Sequence, residues 1–371
     1  MKLLHVVGAR PNFMKLAPVL LAGRASPGVE QLVVHTGQHY DHEMSDRFFD
    51  DLAIPRPDEN LDVGSGSHAQ QTATIMSRFE PVLVRARPDW VVVYGDVNST
   101  MAATLVASKL GVRVAHVEAG LRSRDRAMPE EINRLVTDQL ADLLLPPSRD
   151  AIANLLAEGI PENKIVFVGN VMVDTLLRLR DQARATGMPQ TLGVAGVPFA
   201  FVTMHRPSNV DQAETLSELL LGLEDLAAAM PVLFAVHPRT RERIARFGLD
   251  GAAPSVRLLN PLGYLETNAL ADAAAMVVTD SGGLQEETTV LGVPCLTVRA
   301  NTERPVTVTE GTNRLVRSTR QSLGEAVASV LADRQGGRYT ARRPELWDGR
   351  AGERVIAALA AASLSLPVAS G

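Results

Sequence analysis

One cysteine, Cys295, stands in a chain of 371 residues. That excludes an intrachain disulfide framework and fits a reducing compartment. Neither sign of charge dominates, with 37 Lys and Arg against 42 Asp and Glu and a net charge of −5. Without a global basic field, nucleic acid is not expected as the main partner. No window approaches the roughly 18 uncharged apolar residues that a membrane helix needs. The opening MKLLHVVGAR carries only a short apolar stretch before Arg10, too short for a signal peptide. Short-period repeats and low-complexity segments are missing as well. The expectation is a soluble, cytoplasmic, globular protein that does not contact a membrane.

Two nucleotide signatures are also absent. No G-x-G-x-x-G follows the first apolar run, and there is no G-x-x-x-x-G-K-[ST]. Nicotinamide-cofactor binding and P-loop ATP hydrolysis both lose ground, and no cofactor is expected. His39 and His42 in HYDH are spaced to share a metal, but no third ligand is evident, so no metal is expected. Cys295 follows Pro294 and reads as a small buried hydrophobe.

What is present is a regular alternation. Short β-branched and apolar runs at 3–7, 31–35, 90–94, 112–117 and 143–145 are separated by helix-length patterns at 14–22, 69–84, 100–110 and 130–140. A second series of runs follows at 165–168, 199–203, 232–236, 256–259, 276–279 and 294–298. Strands apolar on both faces with helices between them indicate parallel sheets covered on both sides. The expected fold class is α/β, as two doubly wound Rossmann-like domains. The first spans 1–169 and the second 170–350, with residues 351–371 a helix and tail that pack back on the first. Two such domains bind ligands in the cleft between them, at the carboxyl ends of strands.

Those strand ends carry the chemistry. After the first run, GARPNFMKLAP puts Arg10 and Lys15 around a helix start, an anion site or merely a turn with two solvated charges. Asp96 follows Gly95 after the run at 90–94, as a functional acid or a turn residue. Glu118 ends the run at 112–117, an expensive place for a carboxylate that is not paired. A desolvated acid there suits acid/base work near neutral pH, with Arg122 a candidate to orient the loop or contact an acid. Glu130 opens PEEINR behind Pro129, where helix-dipole complementarity alone also explains an acid. His205 and Arg206 follow a strand in FVTMHRPSN, and His237 repeats the arrangement. In TDSGGLQEE, Ser281, Gly282 and Gly283 let backbone amides approach a pyrophosphate, Glu287 lies about a turn further on, and Arg304 follows in TERP.

These segments, with TGQHYD, GDVNST and HVEAGLRS, resemble the signature of the non-hydrolysing UDP-N-acetylglucosamine 2-epimerases. They occur in that family's order between residues 8 and 313. The resemblance implies the two-domain glycosyltransferase-B fold with an interdomain active-site cleft and a homodimer. It also implies reversible epimerisation at C2 by elimination and re-addition of UDP through a 2-acetamidoglucal. Asp96, Glu118, Glu130 and His205 match the catalytic positions. Arg10, Lys15, Ser281, Gly282, Gly283, Glu287 and Arg304 match those that bind UDP. Gln38, His39, Gln71 and Arg206 match positions at which regulated members hold a second UDP-sugar. Pro207 and Ser208 depart from the common H-R-R-E-N pattern, and the gap between Glu118 and Glu130 is shorter than in some members. An epimerase for a UDP-2,3-diacetamido sugar, a hydrolysing relative and a glycosyltransferase of the same fold are the alternatives.

Overall fold

The computed structural model describes residues 1–37 and 46–365. Internal contacts divide the chain into two compact units: Met1–Leu177 joined by the chain from Glu345 onward, and Arg178–Pro344. The first unit holds a sheet of strands β1 (Lys2–Val7), β2 (Glu30–His35), β3 (Glu59–Asn60), β4 (Trp90–Tyr94), β5 (Arg113–Val117) and β6 (Leu143–Leu145), in the order β3-β2-β1-β4-β5-β6. The second holds β7 (Ala200–Thr203), β8 (Val232–Ala235), β9 (Arg257–Leu259), β10 (Met276–Thr279), β11 (Cys295–Val298) and β12 (Asn313–Val316), in the order β12-β11-β10-β7-β8-β9. All pairings are parallel. Both are doubly wound Rossmann-like sheets. The inner strands are mostly apolar because both faces are covered, with buried exceptions such as His5 in β1 and His116 in β5; β4 and β10 are buried at every position.

In each sheet the chain leaves the first strand toward one side and later returns on the other. The reversal falls between β1 and β4 in the first unit and between β7 and β10 in the second. Loops at such a point splay apart and open a crevice at the carboxyl ends of the strands. The residues there are 8–10 and 95–98 in one unit, 204–207 and 280–283 in the other.

The expected strand at 165–168 does not form. Ile165 makes an isolated parallel bridge to Leu144, and Val166 donates to the Leu144 carbonyl at 2.9 Å. Beyond that point β6 continues into Pro146 and Pro147, which have no N–H to return ladder bonds. Two edge strands, β3 and β12, were not expected. Both are short and carry polar residues, so no apolar run marks them.

The helix Ala351–Ser365 packs on the helix Arg10–Arg24, closely enough that a Cβ on Gly352 would lie 2.5 Å from the Pro18 carbonyl oxygen. Its amino end is held by Asp174, whose Oδ2 accepts from the Gly352 amide at 2.7 Å. Burial dominates at this carboxyl and pushes it up to about 6 from 3.8. Between about pH 4 and 6 the folded chain therefore keeps a proton that the unfolded chain has lost. Stability from this group is present below pH 4 and falls as pH rises, by about 3 kcal/mol across the window. Asp174→Asn keeps the acceptor for Gly352 but cannot ionise. Urea midpoints measured from pH 4 to 8 should lose that downward slope in the variant.

Candidate functional site

In the first unit the acids gather where the β1–β4 reversal predicts. Asn12 fixes the turn after β1: its Oδ1 accepts from the Gly8 and Ala9 amides, at 3.1 and 3.0 Å, while its Nδ2 donates to the Tyr94 carbonyl at 2.9 Å. Gly95 then turns with φ +66, and a Cβ there would meet Lys15 Nζ at 2.6 Å and Glu118 Oε2 at 3.0 Å. Only glycine lets those two side chains approach. Glu118 itself has φ +72, in the left-handed region that costs a side-chain-bearing residue of order 1 kcal/mol or more. Its carboxylate is buried and forms an ion pair with the buried Lys15 ammonium. The energetic objection to an acid at the end of β5 is thereby met from β1's helix.

Asp96 is oriented from a different element. On the helix Pro129–Leu140, Arg134 donates to Asp96 Oδ2 at 2.5 Å, and Asn133 donates to the Asp96 carbonyl at 2.8 Å. The adjacent acids of that helix have separate tasks. Glu131 is buried and accepts from the Ser123 and Arg124 amides, both at 2.9 Å, and from Arg134 at 2.8 Å. Burial opposes its charge, but those donors hold the carboxyl below its ordinary value. Glu130 instead lines a cavity of about 290 Å³ together with Asp96, Gln71, His68, Asn98 and Asn133.

In the second unit Asp280, at the end of β10, is the organiser. Fully buried, it accepts from the His205 and Arg206 amides at 3.0 and 2.9 Å and from Asn209 at 3.0 Å, and it lies 3.1 Å from His205 Nδ1. Burial again opposes the charge, yet these partners keep the carboxyl below its ordinary range. His205 and Arg206 are thus tied to the residue that precedes Ser281. Ser281 is the N-cap of the helix Gly282–Leu291, and a Cβ on Gly282 would lie 2.9 Å from Arg304 Nη1. Arg304 pairs with Glu286 at 2.8 Å. Glu287 is buried as well, and burial lifts its carboxyl to about 7.

Of the residues picked out from the sequence, Lys15 and Glu118 meet directly, and Asp96, Glu130 and Gln71 share one cavity. Arg10 opens its helix at the carboxyl end of β1. His205, Arg206 and the Ser281–Gly283 turn are joined through Asp280, with Arg304 alongside. Gln38, His39 and His42 lie outside the described residues. Arg122 reaches Asp138 and Glu158. Sequence reasoning passed over Asn12, Glu131, Arg134, Asp138 and Asp280. The i,i+3 spacing of Glu131 and Arg134 was a usable signal; nothing local marks Asp138, although Arg122, expected to orient the loop or contact an acid, does meet it.

Two Rossmann-like units in one chain, each with charged side chains collected at its strand reversal, define an enzyme of the glycosyltransferase-B structural type. A family model described as UDP-N-acetylglucosamine 2-epimerase matches residues 22–360. The UDP-N-acetylglucosamine 2-epimerase of Methanocaldococcus jannaschii is 41% identical over 364 residues, covering 96% of this chain and 98% of that protein. A crystal structure of M. jannaschii UDP-GlcNAc 2-epimerase in complex with UDP-GlcNAc and UDP superposes with a TM-score of 0.85 at 40% identity, covering 97% of this chain and all of that one. The UDP-2,3-diacetamido-2,3-dideoxy-D-glucuronate 2-epimerase of Pseudomonas aeruginosa is 42% identical over 335 residues, covering 89% and 92%. This chain belongs to the UDP-N-acetylglucosamine 2-epimerase family, and it is an isomerase. Among the described residues, no helix is long and apolar enough to cross a membrane.

Proposed function

We propose that the protein interconverts UDP-N-acetylglucosamine and UDP-N-acetylmannosamine without hydrolysing the nucleotide sugar and without a redox cofactor. A carboxylate removes the proton on C2, the C1–O bond breaks, and UDP departs to leave 2-acetamidoglucal. An acid then returns a proton to the opposite face of C2, and a β-phosphate oxygen of UDP re-forms the bond to C1. Asp96, Glu118 and Glu130 supply the base and the acid. Arg10, Arg304 and the amides after Ser281 hold the pyrophosphate, where charge develops as UDP leaves. His205, oriented by Asp280, adds a donor for that charge. Glu287, with a carboxyl near 7, can donate as well as accept toward ribose hydroxyls. The observation that carries the reading is the set of three carboxylates at one sheet edge, two of them lining a single cavity.

The P. aeruginosa relative supports a second reading, in which the sugar is a diacetamido uronate. The lining of the cavity speaks for the neutral sugar: among the described residues it carries Asp96 and Glu130 but no Lys or Arg, and a sugar carboxylate would meet like charge there. Proton NMR of UDP-GlcNAc incubated with the protein in D2O separates the cases. Loss of the C2 proton signal with a new UDP-ManNAc anomeric signal supports the proposal. Free ManNAc plus UDP would mean a hydrolysing enzyme, and an unchanged spectrum would direct the assay to the diacetamido substrate or to a transferase. A cytoplasmic homodimer completes the proposal, and light scattering tests the dimer.

The glycine at 282 offers a check on the nucleotide half. Gly282→Ala pushes a methyl group against the Arg304 guanidinium and crowds the first amide of the helix. UDP affinity measured by calorimetry should fall about ten-fold, about 1.4 kcal/mol. Unchanged affinity would remove this turn from the phosphate site.

A further inference from the structure

His116 lies in β5, fully buried, two residues before Glu118. Both of its ring nitrogens face oxygen acceptors: Nδ1 is 2.6 Å from Asp138 Oδ1, and Nε2 is 2.8 Å from the Gly95 carbonyl. A carbonyl oxygen only accepts, so Nε2 carries a hydrogen. Asp138 is also fully buried, and its Oδ2 receives the Gly120 amide at 3.0 Å and the Arg122 guanidinium at 2.8 Å. Burial pushes this carboxyl up, but His116 and Arg122 outweigh it and hold the group below its ordinary range. The Arg122 guanidinium and the Gly120 amide on Oδ2 favour the carboxylate independently of the ring, which leaves Oδ1 as an acceptor toward Nδ1.

Charge balance leads to the same protonation. Arg122 also binds Glu158 through two hydrogen bonds, at 2.8 and 2.6 Å. With a neutral ring, the cluster holds one cation against two carboxylates, with Asp138 sealed from water. With a charged ring, two cations face two anions. We propose that His116 is held as an imidazolium with both N–H groups donating, and that this cation is a positioning residue fixing the Gly95–Asp96 turn against Glu118. Asp138 grips the β5 side through Gly120 and Arg122, and the ring carries that grip across to the carbonyl that precedes Asp96. The Lys15–Glu118 pair packs against Gly95 as well, where a Cβ would meet both side chains. The positioning role rests on the acid/base reading of Asp96 and Glu118; the charge on the ring does not.

The charge is read on the wild-type protein with 15N-labelled histidine at neutral pH and no substrate. Both ring nitrogens of His116 should show an attached proton, and a ring with one bare nitrogen overturns the assignment. Asp138→Asn removes the counter-charge at nearly constant volume and should leave one ring nitrogen bare. For the positioning role, His116→Gln keeps a donor but no fixed charge. Its kcat should fall about ten-fold or more, with KM and UDP affinity within about three-fold. An unchanged kcat sinks the role, and Asp138→Asn gives the same readout should His116→Gln fail to fold. Wild-type turnover is measured first: no exchange at C2 removes the epimerase reading and the positioning role with it, while the ring signal still decides the charge.

Discussion

Glu118→Gln should lower turnover by about a thousand-fold, within the range that removal of a general acid or base produces, while UDP affinity stays within a few-fold. The amide matches the carboxylate in length and volume and tolerates the same φ of +72 no worse. Its oxygen still accepts from Lys15, so the buried ammonium keeps a hydrogen bond. What the amide cannot do is take or return a proton. The groups assigned to the pyrophosphate on the second unit are untouched, which is why UDP binding serves as the internal control. Turnover by NMR and UDP titration by calorimetry test the two halves. Wild-type turnover would remove Glu118 from the mechanism.

Lys15→Met should cost about 3–5 kcal/mol of stability, the usual penalty when one partner of a buried ion pair is deleted. Lys15 and Glu118 are only 7% and 6% exposed, so water cannot solvate the carboxylate left behind. The double variant Lys15→Met with Glu118→Gln removes both charges and should recover most of the loss, because a neutral amide is far cheaper to bury. The family resemblance implied that Lys15 binds UDP. The two roles separate cleanly: a phosphate ligand loses UDP affinity ten-fold or more with little change in stability, whereas a counter-ion loses stability that the second substitution restores. Denaturant midpoints of the four proteins, alongside UDP titrations, decide between them.

The alternation of strands and helices was legible because strands buried on both faces are mostly apolar, as β4 is at every position. β3 and β12 were not, since an edge strand with polar residues reads as a loop. The acids at strand ends stood out for a local reason: Gly95 and Gly120 announce turns on either side of them. Their supports stayed hidden for a long-range one. Arg134 and Asp138 lie inside a helix, where charged residues ordinarily face water, and only the seating of that helix against β5 and the helix Asn98–Lys109 turns them inward. The same holds for Lys15, whose partner is 103 residues away. Neighbouring acids also look alike in sequence, and it took three-dimensional contacts to give Glu131 to the loop and leave Glu130 to the cavity.

The first unit is made of two stretches of chain, and both tryptophans of the protein, Trp90 and Trp347, sit where those stretches meet. Trp90 Nε1 donates to Ser363 Oγ at 2.9 Å, and Trp347 Nε1 donates to the Pro147 carbonyl at 2.9 Å. Each is 1% exposed. Indole emission therefore watches one event, the docking of the returning segment, while the second unit stays dark in that channel. Fluorescence and circular dichroism traces recorded side by side would then follow different parts of the molecule, and a gap between them would give the order in which the two units melt.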